Sequence, residues 1–120
     1  MSKILVAEDN AVNRELLREI LEAARHHVIE AGNGQEALAR MEELDPDLIL
    51  LDINMPVLDG FATITHIRQN PKFSKIPVLA ITAYAMKDDR ERILNSGFNG
   101  YLPKPIEASM LLDELNRTLR

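Results

Sequence analysis

Short runs of consecutive apolar residues alternate with longer segments of helical periodicity, and this alternation constrains the fold more than any other feature. The runs fall at 4–7, 28–29, 48–51, 78–81 and 101–102. The stretches 4–7, 48–51 and 78–81 are apolar at every position, as strands buried on both faces of a parallel sheet must be. Between the runs, Val12, Leu16, Leu17, Ile20, Leu21 and Ala24 fall on one helical face. Ala37, Leu38 and Met41 do the same, as do Phe61, Ile64 and Ile67, and finally Leu111, Leu112, Leu115 and Leu119. Segment 87–96 is different: Lys-Asp-Asp-Arg-Glu-Arg precedes its one strong apolar pair, Ile93 and Leu94, so it should be the most weakly anchored helix. Gly32-Asn33-Gly34, Pro46, Pro71 and Pro77 punctuate the pattern, and Gly97 stands where a left-handed helix-ending residue belongs. The repeated βα pattern predicts an α/β fold, a doubly wound (βα)5 three-layer sandwich. Right-handed crossovers and five short strands favour a parallel sheet of order 2-1-3-4-5, whose ligand crevice lies at the carboxyl ends of strands 1 and 3.

With 120 residues and no linker, repeat or low-complexity tract, the chain reads as one domain spanning residues 1–120. A domain of this size buries roughly two-thirds of its unfolded surface and needs no staple. The absence of cysteine excludes disulfide frameworks, zinc fingers and thiol nucleophiles. No run approaches the ~20 apolar residues of a membrane span, and the N-terminus lacks signal-peptide features, so the expected location is the cytoplasm. The formal net charge of −5 comes without a basic stripe, which argues against direct nucleic-acid binding.

The expected strand ends carry the chemistry. Glu8-Asp9 follows the first run, Asp52 the third, Thr82 the fourth and Lys104 the fifth. Carboxylates about 4 Å apart repel by roughly 4 kcal/mol at an effective dielectric near 20, and a hard divalent cation removes that cost. Mg²⁺ suits such a site, with Mn²⁺ a substitute; it takes oxygen ligands and typically uses one or two carboxylates plus phosphate oxygens. Asp9 and Asp52 would be direct ligands, Glu8 a direct or water-mediated one, and the backbone carbonyl of Asn54 a further oxygen. The plainer reading of Glu8-Asp9 is helix capping ahead of Ala11. Asp52 could be a passive metal anchor, or a nucleophile that carries an acyl phosphate. Phosphoryl transfer needs positioning and charge stabilisation of equatorial oxygens. The metal, the Lys104 ammonium, and the Thr82 hydroxyl with the Ala83 backbone N–H would supply these. Pro105 after Lys104 permits a cis bond that would aim the lysine inward.

At these residues the sequence resembles the receiver family of bacterial two-component response regulators. The resemblance rests on Val6-Ala7-Glu8-Asp9-Asn10 with Asn13, on residues 47–56 with Asp59-Gly60, on Pro77-Val78 through Thr82-Ala83, and on Gly100-Tyr101-Leu102-Pro103-Lys104-Pro105. It covers the whole chain in order and implies a flavodoxin-like fold, with no departure at the five central positions. It implies that Asp52 is the phosphoacceptor, Glu8 and Asp9 the acid pair for Mg²⁺, Thr82 and Lys104 the switch hydroxyl and lysine, and Tyr101 the aromatic switch. Asn54 and Tyr84, each two residues beyond a site residue, would tune the lifetime of the acyl phosphate.

The function so implied is a phosphorylation-activated switch, not an enzyme acting on an outside substrate, although it would catalyse its own Mg²⁺-dependent phosphorylation and dephosphorylation. The phosphodonor would be a histidine kinase or a histidine phosphotransfer protein. The output would be a changed surface on helix 4, strand 5 and helix 5 that controls a downstream protein target, with phosphorylation-linked dimerisation as one route and neither nucleic acid nor membrane as a direct partner. An aspartate-nucleophile phosphatase shares this chemistry, but it carries a second acid two residues after the nucleophile, where Asn54 stands here. His26 and His27 read as surface residues at a helix end, where a cation suits the dipole, and His66 as a surface residue on a polar stretch. Gly32-Asn33-Gly34 lacks the third glycine of a dinucleotide fingerprint.

Overall fold

The computed structural model describes residues 2–83 and 87–119. Five strands and five helices alternate: β1 (Lys3–Ala7), α1 (Ala11–Ala23), β2 (His27–Ala31), α2 (Gly34–Leu44), β3 (Leu48–Asp52), α3 (Gly60–Gln69), β4 (Val78–Thr82), α4 (Lys87–Asn95), β5 (Gly100–Pro103) and α5 (Ala108–Thr118). The strands form one parallel sheet of order β2-β1-β3-β4-β5, as the sequence predicts. Strand periodicity sorts the apolar residues into two cores. Leu5, Ala7, Ile49, Leu51, Val78 and Ala80 pack on one face with Ala37 and Met41 of α2, Ile64 and Ile67 of α3 and Ile93 of α4. Ile4, Val6, Leu48, Leu50, Leu79 and Ile81 pack on the other with Leu17 and Leu21 of α1 and Leu111 and Leu115 of α5.

The buried stripe of α1 is narrower than its sequence suggests. Leu17 and Leu21 are buried, but Val12 is 74% and Leu16 42% exposed, because they lie about 140° and 100° round the helix from Leu17. The apolar pair of α4 divides in the same way: Ile93 is buried and Leu94 is half-exposed, since adjacent helical residues point about 100° apart. Beyond Ile93, α4 is held at its edges: the Arg92 guanidinium lies 3.9 Å from the Phe61 ring centroid, and Arg90 Nη1 donates to Tyr101 Oη at 3.3 Å.

At Gly97 and Gly60 the geometry requires glycine. Gly97 takes φ 111° in the turn before β5. A Cβ on Gly60 would lie 2.6 Å from Ile53 Cα and 2.8 Å from the Asp52 carbonyl oxygen, so α3 starts directly against the end of β3 only because that side chain is absent. The histidine reading needs correction. His27 is the first residue of β2, and His26 Nδ1 accepts from the Ser2 backbone N–H at 3.2 Å. Burial pushes the His26 pKa down, which, with Nδ1 accepting a hydrogen bond, disfavours a cation at this helix end. His66 is exposed in the last turn of α3, as expected.

Candidate functional site

Parallel register brings four strand ends to one rim. Ala7 pairs with Leu51, so Glu8 and Asp52 emerge side by side. Asp52 pairs with Ile81 and Thr82 with Pro103, after which the chain reaches Lys104. The Lys104 backbone N–H donates to the Thr82 carbonyl at 2.8 Å, and the Lys104–Pro105 bond is cis.

The acid pair does not cap the helix that follows it. Asn10 is the N-cap of α1, its side chain accepting from the Asn13 N–H at 3.0 Å. Glu8 and Asp9 are thus left to the rim, where one carboxylate oxygen from each of Glu8, Asp9 and Asp52 lies within 4.8 Å of the others. Glu8 and Asp52 are buried and Asp9 is exposed, so the cluster opens to solvent on one side.

The two buried acids are partnered unequally. Asp52 Oδ1 accepts from the Asn54 N–H at 3.0 Å, and Asp52 Oδ2 accepts from Lys104 Nζ at 2.8 Å. Glu8 Oε1 accepts from the Asn10 N–H at 3.2 Å. Glu8 Oε2 lies 3.2 Å from Lys104 Nζ but receives no hydrogen bond, and it is buried. The Glu8 carboxyl is accordingly pushed up to about 7. Burial is the main cause, followed by the close approach of the Asp52 carboxyl, which favours a shared proton, and by the charge of Asp52. The Asn10 amide and Lys104 act in the opposite sense. For Lys104, burial lowers the pKa, but the hydrogen bond to Asp52 and the two carboxylate charges outweigh it, so the ammonium is held charged.

The remaining sequence candidates stand around this cluster. Thr82 is buried at the end of β4, Ala83 is exposed beside it, and Asn54 is exposed two residues past Asp52. Tyr101 is half-buried against the core shared by α2, α3 and α4, with its hydroxyl bonded to Arg90. Tyr84 lies outside the described residues. Sequence reasoning missed Arg14, whose Nη1 donates to the Glu8 backbone carbonyl at 2.7 Å and whose Nε donates to Glu30 Oε1 at 3.1 Å. The available signal was weak: an arginine one turn into α1 and an acid near the end of β2, on elements adjacent to the acid pair.

The family described as response regulator receiver domain matches residues 4–116. The chain belongs to this family. The receiver domain is 37% identical to the polar-differentiation response regulator DivK of Brucella anthropi, over 97% of this chain and 94% of that protein. Among solved structures, the chemotaxis protein CheY4 of Vibrio cholerae superposes with a TM-score of 0.94 at 31% identity, covering 99% of each chain. The receiver domain of a sensor histidine kinase from Pseudomonas aeruginosa superposes with a TM-score of 0.91 at 35% identity, covering 98% of this chain and 97% of that one. That structure has a magnesium ion coordinated in its active-site cleft.

Proposed function

We propose that this receiver domain, taken as one unit over residues 1–120, is a cytoplasmic switch that accepts a phosphoryl group on Asp52 from a histidine kinase or histidine phosphotransfer protein, in a Mg²⁺-dependent reaction. One observation carries the reading: a lysine ammonium 2.8 Å from one oxygen of a buried aspartate, inside a cluster of three carboxylates. A lysine and an aspartate alone would be a buried ion pair, but the two further acids make the cluster over-negative.

The donor set fits a hard divalent cation, since every candidate ligand is a carboxylate or carbonyl oxygen. The buried Glu8 Oε2 receives no hydrogen bond and shares its one cationic neighbour, Lys104, with Asp52, so it has acceptor capacity left for a cation. Glu8, Asp9, Asp52 and the Asn54 carbonyl would hold the ion, whose chemistry is to neutralise the acids and the phosphoryl oxygens. Mn²⁺ would satisfy the same oxygens. The magnesium in the Pseudomonas relative supports this choice.

The chain's own residues then do the following. An Asp52 carboxylate oxygen attacks phosphorus, forming an acyl phosphate as the phosphorus–nitrogen bond to the donor histidine breaks and the imidazole leaves with the electron pair. Lys104 transfers its ammonium from the carboxylate to a phosphoryl oxygen, and the Thr82 hydroxyl with the Ala83 N–H receives another. Turning Thr82 inward vacates space for the Tyr101 ring, at the cost of its bond to Arg90 of α4. Asn54 and Tyr84 govern how readily water reaches the phosphorus. The exposed Leu94 and Met110 line a groove of about 820 Å³ between α4, β5 and α5, with Arg90, Tyr101, Asp113 and Arg117 around it, which suits this face to a protein target or a second phosphorylated copy.

Intact-mass measurement with a small phosphodonor tests the reading. The wild type should gain one phosphoryl unit that is hydroxylamine-labile and needs Mg²⁺, and Asp52→Asn should gain none. Retention of the gain in Asp52→Asn, or its persistence in a chelator, would overturn it.

A further inference from the structure

We infer that Arg14 is a positioning residue for the acid pair; the inference rests on the metal-dependent reading of the site. Glu8 stands one residue beyond β1, and both of its backbone groups are tethered to β2. Its N–H donates to the Ala31 carbonyl at 3.0 Å. Its carbonyl accepts from Arg14 Nη1 at 2.7 Å, while Arg14 Nε is anchored 3.1 Å from Glu30 Oε1. The side chains of Arg14 and Glu30 are 24% and 32% exposed, so the ion pair that fixes the fork is partly withdrawn from water.

The carbonyl that Arg14 grips belongs to the peptide unit joining Glu8 to Asp9. That unit is planar, so fixing its oxygen also fixes the direction in which Asp9 leaves it. One guanidinium therefore sets the relative tilt of two of the three clustered acids without touching either carboxyl. The task needs two donors in a rigid fork, one for Glu30 and one for the carbonyl, which a lysine point charge cannot provide. Arg18 supplies the internal comparison. It also pairs with Glu30, and with Glu22 on its own helix, but makes no bond to Glu8.

The test is calorimetric titration of MgCl2 into the full chain for the wild type, Arg14→Met, Arg14→Lys and Arg18→Met, with melting curves to establish that each is folded. Arg14→Met should bind Mg²⁺ about 10-fold more weakly, the usual loss when an outer partner of a ligand is removed. Arg14→Lys should fall between it and the wild type, and Arg18→Met should bind as the wild type does. Phosphorylation of Arg14→Met by a small phosphodonor should need more Mg²⁺ yet reach the wild-type maximal rate. Wild-type Mg²⁺ affinity in both Arg14 variants would overturn the inference, as would an equal loss in Arg18→Met, which would mean that the Glu30 ion pairs act only through general stability. If Arg14→Met does not fold, Arg14→Lys decides by the same criterion. A wild type that binds no Mg²⁺ overturns the underlying reading instead.

Discussion

Replacing Glu8 by glutamine should stabilise the metal-free protein at neutral and higher pH and destabilise it, relative to wild type, once Mg²⁺ is added. The Glu8 carboxyl titrates near 7 in the fold against 4.5 when unperturbed. Between these values the folded state binds more protons than the unfolded state, so stability is greatest below about pH 4.5 and declines as pH rises to about 7. At about 1.4 kcal/mol per pKa unit, the full decline is about 3 kcal/mol. Glutamine carries no such penalty and keeps an acceptor for the Asn10 amide, but it forfeits the ion pair with Lys104. A net gain of about 2 kcal/mol above pH 7 remains, roughly 8 °C in melting temperature for a domain of this size. Mg²⁺ at about 100 times its dissociation constant adds about 2.7 kcal/mol to the wild type but only about 0.4 kcal/mol to a variant that binds 100-fold more weakly, which reverses the order. Urea unfolding followed by circular dichroism across this pH range, with chelator and with MgCl2, reads both effects. Wild-type stability that rises from pH 4.5 to 7 in chelator, or a Glu8→Gln variant less stable there than wild type above pH 7, would refute the reasoning.

Three other perturbations follow from packing and backbone. Gly60→Ala should cost about 2–3 kcal/mol, since its Cβ would meet the backbone of Asp52 and Ile53; urea midpoints would show this, and an unchanged midpoint would contradict it. Arg68→Met should cost about 3 kcal/mol, because the guanidinium donates to the Gly97 carbonyl at 2.9 and 2.7 Å, to Ile76 at 2.7 Å and to Asn99 Oδ1 at 2.9 Å. Hydrogen exchange should quicken first around residues 73–76 and 97–99, and uniform quickening would contradict the local account. Val57 has φ 70° in a tight turn where the Leu58 N–H donates to the Pro56 carbonyl at 2.7 Å, a strained setting for a β-branched residue. Val57→Gly should therefore stabilise by up to about 1 kcal/mol in thermal melts, where a glycine at an unstrained position would destabilise by a similar amount.

The fold was legible because its decisive signal is repeated: three runs apolar at every position demand a sheet covered on both faces, and parallel strands then leave little choice of order. The site was legible for a related reason. Charged residues directly after apolar runs must sit at strand ends, and parallel strands present like ends on one rim. What the sequence did not disclose depends on details that a count of apolar residues does not carry. Val12 and Leu16 look like part of the apolar stripe of α1, yet they sit about 140° and 100° round the helix from Leu17 and are exposed. Phe73 and Phe98 are core residues that sit in loops, outside any periodic pattern. Arg14 and Arg68 act through side chain to backbone hydrogen bonds, which leave no pattern in spacing or polarity.

Charge arithmetic links the site to its proposed switch. The three clustered carboxylates and Lys104 sum to about −2 when all are ionised, which a single divalent cation would cancel. Without a cation, the cheapest relief is a proton on Glu8, which is fully buried and has one carboxylate oxygen without a hydrogen bond, in keeping with its raised pKa. Phosphorylation would replace the charge of Asp52 by about −1.5 to −2, so even a metal-filled site would become more negative by up to one unit. Lys104 and the Asn54 amide both serve Asp52 before the reaction, so moving Lys104 to a phosphoryl oxygen redistributes a donor and adds none. The proposed reaction also draws on the Thr82 hydroxyl and the Ala83 amide, at the end of the strand that leads into α4. Drawing them inward would pull towards the site the helix with the fewest buried anchors among the described residues, so the electrostatic deficit at Asp52 would be felt first where the fold resists least.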